Sequence, residues 1–383
     1  MNWLRDNILK VVLGIFLLII IAIVIVACTM GNKTTPDISE GYAALENRLQ
    51  NAAIKYVNEH PNILPKTTDT IKKVKLDTLV NAGKIGKLHS PEDKSVVCKG
   101  YVEIEKLYED KNEYKYIPYI SCGKYYVTTT IADHIIDLET KNGEFNRTSE
   151  DGLYKFNNEY VFRGEYPNNF ISIAGYLYRI IKIDENKQLQ LISVGKTRDK
   201  YIWDDRYNYE KDRYYGINDF EKSRLNDSLL FVYENDNEEE GEIFITEEER
   251  SYIVEHDFCI GKRRIDDENI YSGAECAVTT PLKVGLITVN EYARASLDPH
   301  CNNLYEKSCA NYNYFIMLDE SNHYPFQTLT AVADNTYEFF MIDYEIYYSK
   351  TSSGKQLYPV VYIDEKTIYK SGTGTRLDPY IVR

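Results

Sequence analysis

Residues 177–194 read Leu177-Tyr178-Arg179-Ile180-Ile181-Lys182-Ile183, then Asp184-Glu185-Asn186-Lys187-Gln188, then Leu189-Gln190-Leu191-Ile192-Ser193-Val194. Two apolar, β-branched runs flank a polar segment, which predicts an antiparallel hairpin over 177–183 and 189–194 with its turn at 184–187. Ahead of it, 160–163 and 170–173 have the same strand chemistry, and behind it so do 284–288, 314–318, 338–342 and 360–363. Helices are expected at 223–233, where Leu225, Leu229, Leu230 and Val232 share a side, and at 246–254. Short strands, long insertions and few helices predict an irregular α+β domain over 153–383.

Upstream, Tyr42, Leu45, Leu49, Ala52, Ala53 and Tyr56 recur at helical spacing after the start signal Thr35-Pro36-Asp37, and the helix should stop near 58–61. A short helix is expected at 76–81, closed by Gly83, followed by strands at 100–106 and 114–120 around a polar turn at 109–112. The expectation for 37–136 is a small helix-plus-antiparallel-sheet domain. Residues 137–152, rich in turn formers and poor in apolar side chains, read as a linker.

Residues 11–30 carry no charge, and about twenty helical residues cross a bilayer core. A transmembrane anchor is therefore expected at 11–30. Arg5 and Lys10 place 1–10 in the cytoplasm and the bulk of the chain outside. Ile25-Val26-Ala27-Cys28 also resembles a bacterial lipobox, which would make Cys28 a lipidation site. The uncleaved anchor is preferred because the apolar run exceeds the roughly 7 to 15 residues of a signal core.

The 383 residues hold 45 Lys and Arg against 59 Asp and Glu, a net charge of −14 with a mean hydropathy of −0.44. That balance excludes a multi-span membrane protein, and it disfavours nucleic acid as a partner, because phosphate binding needs concentrated cations. The charge is unevenly placed: 37–136 is neutral and 1–36 carries +2, so 137–383 carries −16. Beyond Cys28 there are six cysteines, Cys98, Cys122, Cys259, Cys276, Cys301 and Cys309, with no CxxC pair. An even number without metal-site spacing predicts disulfides in an oxidising compartment. Fifteen pairings are open, of which sequence proximity favours Cys98 with Cys122, Cys259 with Cys276 and Cys301 with Cys309.

An N-terminal span, an amphipathic helix, the helix end Thr78-Leu79-Val80-Asn81-Ala82-Gly83-Lys84-Ile85-Gly86 and a cystine-flanked hairpin together resemble a type IV pilin or pseudopilin head over 11–136. No prepilin processing site precedes the span, and 31–36 should break the helix, so the resemblance implies a pilin-like stalk. Residues 152–383 resemble bacterial surface domains with a core similar to the C-type lectin and formylglycine-generating-enzyme fold. The match rests on Tyr160 to Asn169, the Leu177-Tyr178-Arg179-Ile180-Ile181 strand, Lys283 to Thr288 followed by Glu291-Tyr292, the pair Cys301 and Cys309, and Tyr358 to Tyr362 with the tail Gly372 to Tyr380. The copper-holding cysteines of that enzyme family have no counterpart, so the resemblance implies no oxidase chemistry.

The densest aromatic and acidic cluster is 201–215, from which Tyr201, Trp203, Asp204, Asp205, Tyr207 and Tyr209 are the candidate ligand-binding residues. Rings supply apolar area at low entropic cost while acids accept hydrogen bonds, a combination that suits a glycan or protein ligand. The acidic runs at 238–240, 247–249 and 266–268 read as solvated surface, and 234–241 only loosely approaches a calcium loop. No catalytic motif, metal site or cofactor site is expected. The expected protein is a non-enzymatic, membrane-anchored bacterial surface protein displaying an acidic lectin-like domain for adhesion or ligand binding. The alternatives are a pseudopilin-like accessory subunit of a secretion or pilus system, and an envelope enzyme whose site the sequence does not reveal.

Overall fold

The computed structural model describes residues 38–140, 150–235, 245–318 and 325–383. The chain divides into two units after Val127. That division lies ahead of the expected end of the stalk at 136, because helix Ile131–Glu139 buries Ile131, Ala132 and Ile135 in the core of the second unit.

The first unit opens with α1 (Ile38–Glu59), whose buried face is Tyr42, Leu45, Leu49, Ala52, Ala53 and Val57. Strand β1 (Lys72–Lys75) runs directly into α2 (Leu76–Asn81), and β2 (Lys99–Lys106) and β3 (Tyr114–Ser121) follow. The three strands form an antiparallel sheet in the order β1-β2-β3. Helix α2 ends where Gly83, at φ +66°, lets its own N–H reach the Val80 carbonyl and the Lys84 N–H reach that of Leu79. This is the paired bonding of a Schellman motif, and it needs a residue at ease with positive φ. The Cys98–Cys122 disulfide clasps the open end of the β2–β3 hairpin, next to the Lys99–Ser121 pair.

The second unit begins with α3 (Ile131–Glu139), capped by the Thr130 hydroxyl on the Asp133 N–H. Strands β4 (Gly152–Phe156), β5 (Glu159–Arg163), β6 (Phe170–Ile173), β7 (Tyr176–Ile183) and β8 (Leu189–Ser193) follow. After helices α4 (Arg224–Glu234) and α5 (Glu247–Arg250) come β9 (Ile253–Val254), β10 (His256–Cys259), β11 (Lys262–Arg263) and β12 (Thr279–Leu282). Helix α6 (Val289–Arg294) then precedes β13 (Phe326–Val332), β14 (Glu338–Asp343), β15 (Glu345–Lys350), β16 (Val360–Ile363), β17 (Tyr369–Ser371) and β18 (Tyr380–Val382).

The main sheet has the order β17-β18-β6-β7-β8-β16-β9, with the β4–β5 hairpin joined to it through β7. A second sheet has the order β11-β13-β14-β15. Every residue of β8 and β16 is buried, and so are Phe339, Phe340, Met341 and Ile342 of β14, so the two sheets contribute to one core. The 177–194 segment forms the β7–β8 hairpin, with Asp184 accepting from the Asn186 and Gln188 N–H groups in its turn.

The architecture is α+β, but the fold expected from the sequence needs correction. Among the described residues no helix is long and apolar enough to cross a membrane. The longest, α1, is amphipathic and carries Glu46, Arg48, Lys55 and Glu59. The run 11–30, where a transmembrane helix was expected, and Cys28 lie outside the described residues.

Three expected elements also change type. The 314–318 run forms a 3₁₀ turn, Tyr314–Met317, because the Asn313 side chain caps the Phe315 N–H; a short apolar run cannot be told from a buried helical turn by pattern alone. In 284–288 only Gly285 pairs, with Val360, since Thr288 and Glu291 form a capping box that starts α6. The helix expected at 246–254 stops at Arg250, and the β-branched Ile253 and Val254 pair with Ile363 and Tyr362.

Candidate functional site

The 201–216 loop is anchored from beneath. Tyr201 exchanges backbone hydrogen bonds with Lys355, at 2.8 and 3.0 Å. Trp203 is fully buried: its indole stacks on Phe339 with centroids 5.7 Å apart, meets Phe220 edge-on, and donates Nε1–H to the Thr328 carbonyl at 3.2 Å. It is therefore a core anchor and presents no face to a ligand. Asp204 is also buried, and its Oδ2 accepts from the Ile217 N–H at 2.7 Å and from Arg206 Nε at 2.9 Å.

The loop's path is held from within. Asn208 pairs with Arg213 through its backbone, and its side-chain amide donates to the Gly216 carbonyl and the Thr336 hydroxyl. Gly216 has φ +81°, and a Cβ there would lie 2.2 Å from both the Asp204 carbonyl oxygen and the Thr351 hydroxyl. Only glycine fits that position.

What the anchored loop presents is a set of rings. Tyr209 is 89 % exposed and Tyr214 is 73 % exposed. Tyr207 meets both, edge-on to Tyr209 at 5.1 Å and to Tyr214 at 5.3 Å, and donates its hydroxyl to Asp212. Asp205 is paired with Arg224 at the side of the loop. Arg213 at 3.2 Å from its hydroxyl, together with Lys350 4.2 Å above its ring, holds the Tyr215 phenol below the ordinary tyrosine range. Lys211 sits over Tyr337 at 4.5 Å.

Of the expected site residues, Tyr207 and Tyr209 come together on the surface, whereas Tyr201, Trp203 and Asp204 form the base. Tyr214 belongs to the expected 201–215 cluster but not to the six residues singled out from it. Lys350 and Tyr337 come from β15 and the β13–β14 connection, and no local pattern in the sequence announces them.

All three disulfides join the pairs favoured by proximity: Cys98–Cys122, Cys259–Cys276 and Cys301–Cys309. The His256 ring stacks on Tyr362 and its Nδ1 meets Gln188 Oε1 at 2.9 Å. Among the described residues no group of three or more His, Cys, Asp or Glu side chains could hold a metal ion. Within 247–249, Glu249 is buried, where it closes a capping box with Thr246 and accepts the Tyr178 hydroxyl at 2.6 Å.

Two other charged clusters are internally satisfied. Arg263, fully buried, donates to Glu275, Asn290 and the Asn269 carbonyl. Lys182 lies 3.2 Å from Glu159, which also pairs with Arg294 at 2.6 Å. Groups so completely partnered serve the fold. Compared with known proteins, the chain matches no family model, no curated protein and no solved structure.

Proposed function

We propose that the protein is a binding protein working outside the cytoplasm, which captures a glycan or protein ligand on Tyr207, Tyr209 and Tyr214 and so serves adhesion at the cell surface. The observation that carries this reading is the exposure of Tyr209 and Tyr214, both edge-on to Tyr207, above a loop base locked by Trp203, Asp204, Asn208 and Gly216. Rigid aromatic rings bind with little loss of side-chain entropy, and tyrosine is enriched at the centres of interfaces. Three disulfides support an oxidising compartment. The likeness of 152–383 to a C-type-lectin core belongs to the same proposal.

The test is binding of the full chain to a glycan array and to isolated cell-wall material. Replacing Tyr209 and Tyr214 together by alanine should weaken retention about tenfold or more, the loss of one or two interface hot spots, with an unchanged melting temperature. Equal retention by the double variant sinks the proposal.

A second reading, an accessory subunit of an export or pilus machine, draws on the first unit, where α1 packs on a clasped antiparallel sheet. Co-purification with a secretion ATPase or a prepilin peptidase would favour it.

A further inference from the structure

Arg179, on β7, is 3 % exposed, yet no carboxylate pairs with it among the described residues. Its guanidinium lies over two rings, 4.4 Å from the centroid of Phe170 and 4.6 Å from that of Tyr314. Its Nε donates to Asn169 Oδ1 at 2.9 Å, and the Asn169 amide is fixed in turn on the Ile180 carbonyl at 2.8 Å. The guanidinium is thus packed against two rings and held along one edge, while no described residue accepts from its two Nη groups.

Burial, with Arg376 nearby, lowers the Arg179 pKa to about 10, which leaves it charged at neutral pH. A buried cation is costly to maintain, and Asp151 offsets part of that cost for Arg179.

Arg179 lines a cleft of about 260 Å³ together with Glu165, Tyr166, Phe170, Thr375 and Arg376. Two guanidiniums and one carboxylate line the cleft, and the Asp151 carboxylate, which accepts from the Tyr166 N–H at 2.9 Å, adds a second negative charge close by. Tyr166, 63 % exposed, stands at the cleft. Past the shared residues Glu165 and Met317 lies a second hollow of about 420 Å³, lined by Asp298, Asn311 and Asn313. The exposed Asn311 amide there suits a hydroxyl, whereas the arginine end suits a planar anion that can accept two parallel N–H bonds.

We propose that this cleft is a binding site for an acidic sugar, whose carboxylate is received by the Nη groups of Arg179 and by Arg376 and whose hydroxyls extend toward the exposed Asn311. The site shares no residue with the tyrosine loop and stands or falls separately from it.

Isothermal titration of the full chain with glucuronate, glucose and N-acetyl-Ala-Ala tests the proposal. Glucuronate should bind about tenfold more tightly than glucose, the size expected of a charge-assisted contact. Arg376→Ala, at an exposed position, should weaken glucuronate severalfold without moving the melting temperature, and Arg179→Gln should abolish the difference between the two sugars. Equal affinity for glucuronate and glucose, absence of glucuronate binding, or full affinity in Arg376→Ala and Arg179→Gln overturns the site. Tighter binding of the peptide than of glucuronate overturns the sugar assignment.

Discussion

Trp203 and Tyr209 belong to one loop, yet the first is sealed against Phe339 while the second is 89 % exposed. Their replacement by alanine should separate the two roles: Trp203→Ala should cost about 3–5 kcal/mol, as large-to-small changes of buried aromatics do, whereas Tyr209→Ala should leave the denaturant midpoint where it is. Depth was the part of this site that the sequence could not convey. The composition of 201–215 marks an aromatic cluster, but Phe339 and Thr328, which decide that Trp203 points inward, stand more than a hundred positions away. Two histidines give a pH-dependent counterpart. His134 stacks on Tyr369 at 3.5 Å and His256 on Tyr362 at 3.6 Å, and burial holds both below the ordinary value of 6.5. The unfolded chain therefore takes up protons that the folded one refuses. Their contribution to stability is intact above about pH 6.5 and is lost as the pH falls below it. The melting temperature should drop between about pH 7 and pH 5, and the drop should be smaller in His134→Phe; an unchanged slope would count against this account.

Among elements, those bounded by their own chemistry were legible. Helix α2 runs over the expected 76–81 because Gly83 terminates it, and β7 and β8 follow the two runs around the Asp184 turn. The segments that changed type were decided from afar or by a cap: Ile253 and Val254 by the waiting edge of β16, Thr288 by Glu291, and Tyr314 to Met317 by Asn313. Strand β18 was not foreseen at all, since three residues are too few to carry a pattern and its pairing with β6 is parallel and remote. The hairpin β2–β3 offers a test of local reinforcement. Replacing Cys98 and Cys122 by serine should destabilise the first unit by about 3 kcal/mol, the effect of opening a loop of this size, and hydrogen exchange should rise first at the Lys99–Ser121 end. Unaltered protection there would show that the sheet holds without its clasp.

For the whole molecule, the division after Val127 has a practical meaning. Each unit has its own apolar core, and α3 belongs to the second. A chain beginning at Thr128 should melt cooperatively, whereas one beginning at Gly152, where the expected linker ends, should lose cooperativity or precipitate, because Ile131, Ala132 and Ile135 would leave a hole beside β4. Calorimetry of the two truncations distinguishes the cases, and equal behaviour would mean that α3 is dispensable. The uneven charge also becomes sharper with the revised boundary: residues 128–383 carry a net −17.

The three disulfides have one more implication. Each joins a cysteine to the next one along the chain after Cys28, across 24, 17 and 8 positions. A polypeptide threaded N-terminus first into an oxidising space would present each pair in full before the next pair arrives. In such a passage the order of emergence alone would favour the native pairing over the fourteen alternatives.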